Sequence, residues 1–207
     1  MSAPTQLPSI WSNAAVDRVR ELGSIGAGQA ANVFAQLVGR TIRMHVPAVR
    51  GRSTRPLAHE LKAWDTGIFF EVEGGLGGLV AVFFSIRSRD NLLRLLVGER
   101  NTVEEPTPEE KEEALAALRR EEESALREVG NILASSVVSA IADVLGTRVL
   151  PSIPTLAAEG AGAVLQSLVS ARGGDAGLRI ETEIFDSDGE LRCLVVLVPD
   201  RAPRAES

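Results

Sequence analysis

The chain is written twice. Asp17-Arg-Val-Arg-Glu21-Leu-Gly-Ser24-Ile-Gly-Ala27 recurs 107 positions later as Ser124-Ala-Leu-Arg-Glu128-Val-Gly-Asn131-Ile-Leu-Ala134. The same offset joins Ala35 to Ala142, Gly39 to Gly146 and Pro47 to Pro154. One offset held across so many positions marks a duplication, and it constrains the fold more than any single residue does. The expectation is one domain made of two repeats, about 12–100 and 108–199, with a polar tail at 200–207. Two like units that merge in this way give a pseudo-two-fold α+β domain, with a central β-sheet and two long motif helices packed on one side of it.

Each copy opens on a helical pattern. Val16, Val19, Leu22, Ile25, Val33, Leu37 and Val38 largely keep a 3.6-residue period, with Ser12 or Asn13 as cap and Gly39 as stop. Leu126, Val129, Leu133, Val137, Ile141, Val144 and Leu145 repeat it, with Gly146 as stop. Thr107-Pro-Glu-Glu110 is a capping box that starts another helix. The spacing leaves open whether that helix runs unbroken through the charged 109–123 stretch, which reads as a solvated face. Strands are expected after each motif helix. The first copy alternates Ile42, Met44 and Val46, and its equivalent runs from Arg148 to about Leu156. Segments near 57–63, 66–73 and 77–85 match 163–171, 177–186 and 190–198, and the first copy adds a helix near 88–98.

Composition then removes whole classes of function. Net charge is −6, so there is no surplus of Lys and Arg to neutralise a nucleic-acid backbone. One cysteine, Cys193, excludes a disulfide framework and a cysteine-ligated zinc site, and two histidines leave little for a His-rich metal cluster. The longest apolar runs are too short to span a bilayer, and residues 1–8 show no secretory signal. The expected location is the cytoplasm.

What remains is a polar stripe on each motif helix. Ser124, Glu128 and Asn131 stand at i, i+4 and i+7 and share one helical face, and Ser135 extends it. Polar outer faces are ordinary on amphipathic helices. Recurrence of the same types as Asp17, Glu21 and Ser24 is not ordinary, because surface positions drift unless something needs them.

The pattern Asp/Ser-x-x-x-Glu-x-x-Asn, twenty-two residues, then Pro resembles the signature of the CheC/CheX/FliY phosphatases of bacterial chemotaxis. The second copy carries it as Ser124, Glu128, Asn131 and Pro154; the first has Asp17, Glu21 and Pro47, but Ser24 in place of Asn. Two motifs in 207 residues resemble the CheC type, with the first motif degenerate. The resemblance implies a hydrolase that removes phosphate from the aspartate of a CheY-like response regulator. In it Asn131 orients the water and Glu128 docks on the regulator's lysine. Glu21 and Ser24 would be the weaker counterparts, Ser124 and Asp17 partner contacts, and Pro47 and Pro154 structural. It implies no cofactor of the chain's own, since Mg2+ comes with the regulator. The alternative is a non-catalytic binding module for the regulator, a flagellar-switch partner or the deamidase CheD, which CheC proteins commonly bind.

Other motifs carry less. Gly23-Ser-Ile-Gly26-Ala-Gly28 lacks the order and the preceding strand of a dinucleotide loop, and close packing of the two motif helices is its expected role. Gly74, Gly75, Gly77 and Gly78 are expected to form a hairpin turn, and Cys193 a core position. His45 and His59 read as strand-surface residues.

Overall fold

The computed structural model describes residues 11–51, 56–74, 77–98, 108–172 and 178–200. The first motif helix, α1 (Asn13–Val38), is capped by Ser12, whose Oγ accepts from the Ala15 N–H at 3.2 Å. It ends at Gly39, where φ is 65° and a glycine carries no steric penalty. After it come β1 (Ile42–Met44), β2 (Ala48–Gly51), α2 (Leu57–Glu60), β3 (Thr66–Gly74), β4 (Gly78–Phe84) and α3 (Ile86–Val97). The second copy follows as α4 (Pro108–Leu145), β5 (Val149–Pro151), β6 (Thr155–Ala157), α5 (Ala161–Ala171), β7 (Leu178–Asp186) and β8 (Arg192–Pro199).

Helix α4 runs unbroken through the charged 109–123 stretch into the second motif: it is one helix of 38 residues that begins on Pro108. Thr107, the expected cap, lies outside the described residues, as does the expected tail beyond Asp200. By length and composition α4 is apolar enough to cross a membrane. Its apolar side is occupied, however: Leu126, Val129, Leu133, Val137 and Ile141 are buried in the main core.

The sheet is antiparallel, in the order β1-β7-β8-β4-β3-β5, with β2 also on β7 and β6 also on β3. The two repeats join at its centre through β4 and β8, in register from Gly78 opposite Pro199 to Phe84 opposite Cys193. The outer strands are exchanged. The first copy's β1 and β2 pair with the second copy's β7, and the second copy's β5 and β6 pair with the first copy's β3.

Side chains alternate across these strands and supply two cores. Ile68, Phe70, Val72, Val80, Val82, Ile180, Ile184, Val195 and Leu197 face α1, α3 and α4. Phe69, Leu79, Ala81, Phe83, Val196 and Val198 face the other way and are covered by Leu57, Leu61, Ala161 and Leu165. The two long motif helices share one face, as expected; the short helices α2 and α5, which stand in place of the expected strands at 57–63 and 163–171, cover the other. Leu57 with Leu61, and Ala161 with Leu165, are spaced by four, so each pair presents one helical face to the sheet. His59 accordingly sits on α2 rather than on a strand.

The glycines divide in role. A Cβ at Gly26 would stand 2.9 Å from Val137 Cγ1, which brings α1 and α4 together as expected. Gly23 lies instead against Ile180 on the sheet, and Gly28 has room for a side chain, with Met44 Sδ nearest at 3.9 Å. The hairpin at 74–78 forms, closed by a 2.7 Å bond from the Gly77 N–H to the Gly74 carbonyl; Gly75 lies outside the described residues. Cys193 is fully buried, and burial pushes its thiol pKa well up.

At the far end of β7, Asp186 is 1% exposed and accepts from Arg40 at 2.8 Å and from the Glu190 and Leu191 N–H groups at 2.9 and 3.1 Å. Burial raises its pKa, but the bonds from Leu191, Arg40 and Glu190 outweigh burial and hold the carboxyl below its ordinary value.

Candidate functional site

Helix α4 places Ser124, Glu128 and Asn131 on its exposed face, opposite the buried Leu126, Val129 and Leu133. The chain then returns beside this face. The strand expected from Arg148 to Leu156 is broken into β5 and β6 by Ser152-Ile153-Pro154, and this break forms a second wall. Between helix and loop lies an open groove of about 400 Å3, lined by Ser124, Arg127, Glu128, Asn131, Pro151, Ser152, Ile153 and Pro154.

The loop is pinned on both sides. The Arg127 Nη1 donates to the Pro154 carbonyl at 3.3 Å and ties it to α4. On the other side Ser152 Oγ accepts from the Glu71 N–H at 2.9 Å, while the Ser152 N–H donates to the Glu71 carbonyl at 2.8 Å. Glu71 belongs to β3, so the first repeat holds the loop of the second repeat's groove. Pro151, the last residue of β5, and Pro154 within the loop stiffen it further by fixing φ. Among the described residues, the side chains of Glu128 and Asn131 have no hydrogen-bond or ion-pair partner in the chain. Their polar atoms are free to meet something else.

The first copy is built alike and differs in chemistry. Asp17 and Glu21 are exposed on α1, but Arg20 pairs with Asp17 at 2.7 Å and Arg18 with Glu21 at 3.1 Å. Ser24 is half-buried where the second copy has an exposed Asn131. Pro47 is buried between β1 and β2, in the position of the half-buried Pro154 between β5 and β6. The expected residues thus gather in two sets, one per motif helix. Sequence reasoning missed Arg127, Ser152 and Ile153. The repeat held a signal for two of them, since Arg20 precedes Glu21 as Arg127 precedes Glu128, and Val46 precedes Pro47 as Ile153 precedes Pro154.

Two motif helices side by side on an exchanged sheet, each with a polar stripe exposed on it, define an internally duplicated α+β domain. The chain belongs to the CheC-like family. The family model matches residues 17–50 and 121–157, the two stretches that contain the motifs and their prolines. The chain is 31% identical over 192 residues to the CheY-P phosphatase CheC of Bacillus subtilis (strain 168), a match covering 89% of this chain and 88% of that protein. FliY of Thermotoga maritima shares the fold at a TM-score of 0.63 and 19% identity, over 92% of each chain. A chain of the CheX-CheY-BeF3-Mg2+ complex of Borrelia burgdorferi shares it at 0.51 and 18% identity, over 86% of this chain and 97% of that one.

Proposed function

We propose that the chain is a protein phosphatase that hydrolyses the aspartyl phosphate of a CheY-like response regulator in chemotaxis signalling. The observation that carries this reading is the exposed, unpartnered pair Glu128 and Asn131 on one face of α4, in a groove walled by a pinned loop. The likeness to a CheY-P phosphatase over most of both chains supports it, as does the fold shared with a CheX bound to CheY.

The chemistry asks little of the phosphatase. An acyl phosphate is labile, and positioning a water in line with phosphorus does most of the work. A carboxamide both donates and accepts hydrogen bonds, so Asn131 holds that water in one orientation. Glu128, one turn earlier on the same face, pairs with a regulator lysine and sets how deeply α4 enters. Ser124 contacts the partner further out. Mg2+ is brought by the regulator, and the chain supplies no cofactor. The reaction belongs to the cytoplasm, where such regulators diffuse.

The first site is the weaker of the two. A serine hydroxyl is shorter than a carboxamide, and Glu21 already has a cationic neighbour in Arg18. In this reading Asp17 and Glu21 bind a regulator with little turnover by Ser24. The test is release of inorganic phosphate from a phosphorylated, Mg2+-loaded receiver protein of the same organism. Acceleration by the wild-type chain, lost in Asn131→Ala, is expected. An unchanged rate leaves the non-catalytic reading, with the regulator, CheD or a flagellar-switch protein as partner.

A further inference from the structure

Ile153 is 89% exposed, more than any other large apolar side chain described, and it lines the groove of Glu128 and Asn131. Its counterpart 107 positions earlier, Val46, is 84% exposed beside Pro47. An isolated exposed apolar residue needs no explanation. A β-branched one in the same place in both repeats, each time next to the motif proline, does. The loop that carries it is also held firmly, by Arg127 on one side and Glu71 on the other.

We propose that Ile153 is a docking contact for the regulator, an apolar knob that buries itself in a hydrophobic patch beside the partner's phosphorylated aspartate. This inference rests on the function proposed above and names a specificity-determining residue of that same groove. The occupant is the receiver protein itself, because whatever places its phosphate at Asn131 must also cover the loop across the groove. Electrostatics fit an apolar anchor. The chain carries a net charge of −6, so long-range attraction to an acidic partner is unavailable and affinity must come from local contacts. A β-branched side chain on a pinned loop loses little conformational freedom on binding, so little of its burial is offset by ordering.

The test compares Ile153→Asp, Ile153→Ala and Ile153→Leu with the wild type on a receiver protein of the same organism. Two quantities are read: the Kd for the receiver loaded with beryllofluoride and Mg2+, and kcat and KM for its phosphorylated form. Loss of one buried aliphatic contact predicts about a tenfold or greater rise in Kd and KM for Ile153→Asp, a smaller rise for Ile153→Ala, and near-wild-type values for Ile153→Leu. The kcat should stay unchanged, since Ile153 touches no reacting atom. Wild-type Kd and KM in all three variants would overturn the docking role while leaving the phosphatase reading intact. A wild-type chain that binds without hydrolysing would sink the phosphatase reading, and the Kd series would still decide the docking role.

Discussion

Gly130 rests directly on Ile68: a Cβ on the glycine would stand 2.8 Å from both the Cβ and the Cγ2 of the isoleucine. Gly23 meets Ile180 in the same way, at 2.6 Å from Cγ2. Each contact joins the motif helix of one repeat to a long strand of the other. Gly130 sits between Glu128 and Asn131 in sequence, so the depth at which α4 lies on the sheet also sets where those two side chains stand.

Gly130→Ala should therefore destabilise the chain although alanine favours helices. Overpacking costs about 1–3 kcal/mol, against a helix-propensity gain of about 1 kcal/mol. Urea melts would show the loss. Adding Ile68→Ala should cost less than the sum of the two single changes, because the clash that the first creates is relieved by the second.

Asn131→Ala should lower turnover by about 100-fold, the scale expected when a positioned reactant is released. Ser24→Ala should change it little. Ser24→Asn should raise it, by at most about twofold if both motif helices then act. Phosphate release from a phosphorylated receiver reads all three, and full activity in Asn131→Ala with loss in Ser24→Ala would reverse the assignment of the sites.

Asp186 gives the fold a pH signature. Its carboxyl is held below the ordinary value, so its contribution is present above the unfolded-state pKa and fades as pH falls through the folded one. Asp186→Asn should destabilise by about 2 kcal/mol near neutrality: the amide Oδ1 can still accept from the Glu190 and Leu191 N–H groups, but the charge facing Arg40 is lost and the guanidinium is left with Glu190 alone. The gap between variant and wild type should narrow below about pH 4. Denaturant midpoints taken from pH 7 down to pH 3 measure it; a gap that widens on acidification would contradict the linkage.

The strand exchange predicts how the chain divides. Residues 1–100 and 101–207 expressed apart should not fold, because β3 would lack β5 and β6, and β7 would lack β1 and β2. Mixed, they should assemble as a one-to-one pair. Circular dichroism and gel filtration read both outcomes, and a cooperative melt from either half alone would be the contrary result.

The motif helices and their stripes were legible in the sequence because helix period, caps and repeat all agreed at the same residues. The hairpin at Gly74–Gly78 was legible from turn chemistry. The short helices α2 and α5 were not, since apolar runs this brief fit either period and only the sheet beneath them decides. The exchange was invisible as well. Ile42 pairs with Asp186 far along the chain, and no local pattern states which copy a strand will join. Of the groove, the helical wall could be read from Glu128 and Asn131. The loop wall could not, because Ser152 and Ile153 matter through where β3 holds them.

The bond between Ser152 and Glu71 has a bearing on the history of the chain. The first copy has Ser24 where the second has Asn131, and a copy that needed no chemistry of its own would be free to decay. Here deletion of the first copy would take β3 with it and leave the Asn131 groove with one wall unsupported. Selection acting on the second site alone would thus preserve the first copy's strands while leaving position 24 to drift. A serine at that position is compatible with a first copy kept as scaffold for the second.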